Sequence, residues 1–222
     1  MRTLYHLPLD PGCRLVRIML GEKKLEVSLK TERVWERREE FLIINPAGEV
    51  PVLIEEDGTS ISGAAVAAEY LDEVYPVPPL IGTSALDRAE TRRLLQWFAV
   101  KFRDEVSANL LGEKVMKRFL GHGEPNTSAI RAGLRNIHYH LDYIGWLCDR
   151  RRWLAGDAFS LADVAAAAQI SAVDYLDDVP WDDHAGAKDW YARIKSRPSL
   201  RPVLADLVPG LMPPKHYADP DF

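Results

Sequence analysis

Tyr5-His6-Leu7-Pro8-Leu9-Asp10-Pro11-Gly12-Cys13-Arg14, read with Glu49-Val50-Pro51-Val52-Leu53 some forty residues later, decides the fold. The first stretch is an apolar strand that runs through a proline-containing turn into a helix. The second carries a proline inside a short apolar run that otherwise reads as a strand. A proline there cannot donate to a sheet ladder, so Pro51 marks a strand start or a turn, and its peptide bond is a candidate for the cis form.

Working outward, residues 2–6 and 25–30 read as strands on either side of a helix from Cys13 to Lys23, whose Leu15, Ile18 and Met19 fall at helical spacing. Val52-Leu53-Ile54 and Thr59-Ser60-Ile61 flank Asp57-Gly58, a hairpin signal, and a helix over 64–74 follows. The order is βαβ, a short helical segment, then ββα. Tyr75-Pro76-Val77-Pro78-Pro79-Leu80-Ile81-Gly82 punctuates the chain. Beyond Ala85 the apolar residues Leu94, Leu95, Phe98 and Phe102 keep helical period, with a break near 121–125 and a second long helix over about 128–150. Ser160 and Asp163 have the spacing of a capping box at a helix start. The expected class is α/β plus all-α: a βαβ-α-ββα unit at 1–76, a linker at 77–84, a helical domain at 85–207 and a proline-rich acidic and aromatic tail at 208–222.

The 222 residues, 47% hydrophobic, suffice for well-filled cores, and the net charge of −5 offers no general attraction to nucleic acid or anionic lipid. Arg150-Arg151-Arg152 reads either as a local contact or as a solvated helix end. Cys13 and Cys148 are the only cysteines, and His138 and His140 do not share a helix face, so neither a disulfide framework nor a metal site is expected. No apolar run approaches the roughly 18 residues that would span a bilayer, and a cytoplasmic location fits the cysteine usage. Asn126-Thr127-Ser128 matches a glycosylation sequon by chance.

Four motifs, in this order and spacing, resemble the glutathione S-transferase superfamily: Asn45-Pro46-Ala47-Gly48-Glu49-Val50-Pro51-Val52-Leu53, Glu69-Tyr70-Leu71-Asp72, Ser160-Leu161-Ala162-Asp163 and Arg197-Pro198-Ser199. The resemblance covers about residues 1–205 and implies a thioredoxin-like N-terminal domain, a helical C-terminal domain and a homodimer with a glutathione site beside Val50, Pro51, Ser62 and Gly63. Enzymes of that superfamily lower the pKa of a thiol that is otherwise near 8.5, using a donor at the N-terminus of the first helix. The matching position here is Asp10. An ionised carboxylate about 4 Å from a thiolate repels it by roughly 4 kcal/mol at an effective dielectric of 20. Cys13 matches only the second cysteine of a redox pair, Tyr5 and His6 are substitute donors, and Ser62-Gly63 replaces the acidic or amide residue plus serine that receives the γ-glutamyl end. Glutathione is therefore expected to bind weakly or not at all, and no cofactor is required.

Partner binding is the expected alternative. Thr31 to Phe41 is a dense charged segment around Trp35, with Arg37 and Arg38 beside it; Trp and Arg are common interface anchors. The tail offers Tyr217, Asp221 and Phe222 among prolines that lower the cost of ordering. These segments resemble an alphaproteobacterial branch of the superfamily that binds filaments of the tubulin homologue FtsZ, which implies FtsZ and further division proteins as partners. The other reading is an active glutathione transferase using Tyr5, His6 or Cys13 on an unidentified electrophile; a lyase or reductase has no residue support beyond Cys13.

Overall fold

A computed structural model of the chain describes residues 1–220, so Asp221 and Phe222 lie outside the described residues. Four strands, β1 (Arg2–His6), β2 (Val27–Thr31), β3 (Val52–Ile54) and β4 (Ser60–Ser62), form one sheet in the order β2-β1-β3-β4. β1 and β2 are parallel, joined by helix α1 (Pro11–Glu22), and β3 and β4 run antiparallel. The short helix α2 (Glu39–Ile44) precedes β3, and α3 (Ala64–Val74) follows β4. Leu15, Ile18 and Met19 are buried, as their spacing predicts.

α1 begins two residues before the predicted start because Asp10 caps it: its Oδ1 accepts from the Cys13 amide at 2.7 Å, and Pro11 takes the first helical position, where its missing N–H is no loss. The Val50–Pro51 bond is cis, and β3 starts immediately after it. Asn45 shapes the loop before Pro51, its side-chain amide donating to the Glu49 carbonyl at 2.8 Å and its oxygen accepting from the Ala47 amide at 3.3 Å.

Residues 85–120 form one long rod, α4, wound as π-helix over Trp97–Ser107 and Gly112–Met116. It stops at Gly121, whose φ of +64° is the left-handed form that glycine adopts without strain. α5 (Thr127–Cys148) then starts from Asn126, whose side chain accepts from the Ser128 and Ala129 amides, giving that residue a structural role. α6 (Leu161–Asp174) is buried along its whole length, consistent with the run Ala165–Ala168. Its capping box forms as predicted, and Asp163 also accepts from the Leu154 amide and the Trp190 indole, both at 3.0 Å. α7 (Ala185–Lys195) and the single-turn α8 (Arg201–Leu204) complete the helical layer.

Buried polar contacts join the sheet unit to the helices. Arg14 of α1 donates to Ser171 Oγ at 2.8 Å, Arg17 forms an ion pair with Asp206, Glu22 accepts from Arg197 and Ser199, and the Leu161 amide donates to the Leu80 carbonyl at 2.7 Å. Residues 208–220 return to the helices. Tyr217 is 1% exposed and sits edge-on to Tyr175 with centroids 5.1 Å apart, because the segment folds back onto α6 and α7. Tyr217 in this conformation is a core residue, not an exposed anchor.

Candidate functional site

A cavity of about 870 Å³ lies between the turn before α1, the loop ending at Val50, the face of α4 and residues 207–209. Its walls are mainly apolar, and Asp10, Arg33, Glu49 and Arg103 bring charge to it. Trp35 enters from the turn after β2 and stacks on Phe119 of α4, rings 6.3 Å apart and 7° from parallel.

Asp10 is the polar group at the base of α1, where the helix dipole favours negative charge. Burial raises its pKa, opposed by the amides of Cys13 and Gly12 and by the Arg14 charge. The carboxylate thus already takes the helix-start amide that an incoming anion would use. Gly12 is forced by close packing: a Cβ there would lie 3.2 Å from that of Ala64 and 3.4 Å from Pro51 Cδ, so α1, α3 and Pro51 meet directly behind the cleft.

The substitute donors do not reach the cavity wall. Cys13 is fully buried; burial and then the Asp10 charge hold its thiol well above the ordinary value, and its Sγ accepts from the Leu7 amide at 3.4 Å. Tyr5 packs on Phe41 at 5.4 Å, its hydroxyl accepting from Lys30 at 3.3 Å. His6 is 4% exposed, and burial followed by the Arg17 charge brings its pKa to about 4. A neutral imidazole enclosed in that way cannot serve a ligand in the cleft. Among the glutathione-site positions, Val50 lines the cavity, whereas Pro51, Ser62 and Gly63 lie outside its wall; Gly63, at φ +92°, brings no side chain to the start of α3.

The charged segment separates by role. Arg38 donates to Glu32 at 2.6 Å, closing over a carboxylate that is 1% exposed, so it is a structural clamp. Arg37 is exposed and left-handed at φ +45°. Trp35, a candidate partner contact, is half-buried in the cleft mouth. Leu111, Val115 and Phe119 of the opposite wall were not singled out from the sequence, although their spacing of four places them on one helix face. No group of three or more His, Cys, Asp or Glu able to hold a metal occurs among the described residues, and no helix there is long and apolar enough to cross a membrane.

Residues 4–79 match the family model for the glutathione S-transferase N-terminal domain, and residues 124–198 the model for the glutathione S-transferase C-terminal domain. The chain is 49% identical over 224 residues to FtsZ-localized protein A of Caulobacter vibrioides, across 100% of this chain and 98% of that protein. The chain belongs to the glutathione S-transferase family. Within the family, its fold superposes on FzlA from C. crescentus with a TM-score of 0.96 at 49% identity, covering 100% of this chain and 99% of that one. It superposes equally well on a protein described as a glutathione S-transferase from Rhodospirillum rubrum F11, with TM-score 0.98, 53% identity and full coverage of both chains. The family fold thus encloses a cavity here with a carboxylate, Asp10, at the start of its first helix.

Proposed function

We propose that the chain is a transferase-fold scaffold of bacterial cell division that binds FtsZ filaments, with glutathione chemistry weak or absent. The end-to-end similarity to FtsZ-localized protein A supports the partner. The observation that carries the non-catalytic part is Asp10, an acid whose Oδ1 occupies the Cys13 amide at 2.7 Å on the cleft wall. A thiolate placed there meets repulsion instead of a donor. Trp35 and Arg37 are the proposed contacts at the cleft mouth, and Asp221 and Phe222 are proposed as tail contacts for further division proteins.

A homodimer belongs to this proposal, since two copies of one patch would link neighbouring filaments. One face supports it. Trp97, Tyr139, Tyr143 and Trp146 form an aromatic stripe on α4 and α5, with Tyr139 58% and Trp146 49% exposed and Lys101 and Arg150 placed over its rings. α3 lies alongside, tied by Glu69 to Arg92 at 2.8 Å, and offers an exposed Val66. Exposed rings beside an exposed apolar side chain form one patch that a two-fold rotation would set against its own copy.

Co-sedimentation with FtsZ polymer, paired with calorimetric titration of glutathione, tests the proposal. Pelleting with FtsZ and no heat at millimolar glutathione are the expected results; glutathione binding together with thiol conjugation and no pelleting would reject it. The second reading, an active transferase, is favoured by the retained 870 Å³ apolar cleft and by the similarity to the R. rubrum protein.

A further inference from the structure

Outside the cleft, titratable groups are concentrated where residues 208–219 return to the helices. Asp174, the last residue of α6, has no solvent exposure, and its Oδ1 accepts from Trp181 Nε1 at 2.7 Å and pairs with His216 Nε2 at 3.0 Å. Lys195, the last residue of α7, places Nζ 3.8 Å from Asp174 Oδ2 and donates to the backbone carbonyls of His216 and Asp219 at 2.7 and 3.1 Å. Tyr217 lies between these ties in the core, with the Arg14 guanidinium 6.0 Å from its ring. Upstream, the Tyr175 hydroxyl donates to the Leu211 carbonyl at 3.1 Å and accepts from the Val208 amide at 3.0 Å.

We propose that residues 211–219 form a proton-dependent strap: an imidazolium at His216 pins the segment to Asp174, and loss of that proton raises the population in which the segment lifts and carries Tyr217 to the surface. The geometry suits this function. A buried carboxylate needs charged or hydrogen-bonding partners, and one of the partners of Asp174 is 31% exposed at its side chain, within reach of solvent protons. The hold includes a charge-assisted hydrogen bond, beside the buried Tyr217 ring and the backbone contacts to Lys195 and Tyr175.

The charged groups facing the strap from the described elements set opposite signs. The Asp174 hydrogen bond raises the His216 pKa, Asp174 and Asp177 add charge in the same direction, and burial and Lys195 oppose it. A pKa raised by docking makes docking strongest below the free imidazole value, and that advantage is lost as pH rises through the docked value. Lys195 acts in a higher window. Burial, with Lys188 adding to it, brings its pKa down to about 8 against Asp174 and Asp219. A lysine whose pKa is lowered by docking favours docking progressively as pH climbs from about 8 toward its free value. Strap opening therefore rises as pH climbs through the docked His216 value, and the Lys195 contribution runs the other way above about 8.

Hydrogen exchange of the full-length protein at pH 6, 7, 8 and 9, corrected for intrinsic rates, tests the strap. The amides of 211–219 are expected to lose about tenfold protection between pH 6 and 8, the size expected of a charge-assisted bond, while those of α6 stay constant. His216→Gln keeps a neutral hydrogen-bond donor and is expected to show the same reduced protection at pH 6, 7 and 8, leaving only the Lys195 response above that. Constant protection in the wild type, an equal pH response in His216→Gln, or loss of α6 protection in step with the strap would each overturn the proposal. None of these readouts involves FtsZ or glutathione, so the strap stands or falls apart from the proposed function.

Discussion

Trp35 lies flat against Phe119, the two rings 7° from parallel at 6.3 Å, so a side chain of the sheet unit meets one of the long α4 rod across the cleft mouth. Phe119 remains 40% exposed and Trp35 half-buried, which leaves an aromatic surface at the rim available to a partner.

Trp35→Ala removes that surface with little structural cost. A stacked aromatic pair contributes about 0.5–1.5 kcal/mol beyond its buried area, so urea unfolding should report a loss of about 1 kcal/mol. Co-sedimentation with FtsZ should fall at least tenfold. Full binding by a folded Trp35→Ala protein would remove this residue from the partner surface.

Asp10 separates its two roles under substitution. Asp10→Ala loses a helix cap and about 1 kcal/mol of stability. Asp10→Ser retains a capping oxygen, removes the charge and supplies a hydroxyl at the thiol position. Calorimetry should detect tighter glutathione binding by the Ser variant than by wild type; unchanged affinity would show that the carboxylate is not what weakens the site.

Both thiols should resist alkylation in the native state. Cys13 is fully enclosed and its pKa is held up by burial and by Asp10, while burial brings half-buried Cys148 to about 11, leaving about 0.1% thiolate at pH 8. Iodoacetamide at pH 8 should label neither within minutes and both after addition of urea, as read by intact mass. Rapid native labelling of Cys13 would restore it as a nucleophile.

His6 makes stability depend on pH in a defined window. Its pKa falls from 6.5 in the unfolded chain to about 4 in the folded one, so the unfolded state binds the proton more readily. The contribution is intact above pH 6.5 and is lost as pH falls toward 4, by about 3 kcal/mol in all. Urea titrations at pH 7 and pH 5 should differ in the wild type, and the difference should shrink in His6→Gln. A His6→Gln protein with an undiminished pH response would assign the effect to other groups.

Asp163→Ala should be the most damaging single change. It strands the Leu154 and Ser160 amides and the Trp190 indole, all buried, for a loss of about 3–5 kcal/mol. Thermal unfolding measures this directly, and a midpoint within two or three degrees of wild type would contradict the network.

Local signals were legible in the sequence where neighbours in the chain decide the outcome. The strand, proline turn and helix of 5–22, the proline at the start of β3 and the Ser160–Asp163 box all follow from backbone chemistry within a few residues. Asp10 was legible as the odd residue of the cleft, but its capping of Cys13 was not weighed, which set the helix start two residues late. Side chains whose partners are distant in sequence were not legible. Trp35 sits among charges and reads as surface, yet its stacking partner is 84 positions away. Tyr217 follows a run of prolines, and nothing near it in the chain shows that it is buried against Tyr175. His6 looked like a spare donor because nothing near it in the chain reveals that Arg17 and Asp206 enclose it.

The fastenings that Arg14, Arg17 and Glu22 make from a single helix to Ser171, Asp206 and Arg197 deny the molecule a hinge. Swinging one half away from the other would break several enclosed polar contacts at once, each costly to expose without a replacement. Any visitor that needed the halves further apart would have to part this seam first, so its own dimensions weigh heavily in whether it is admitted.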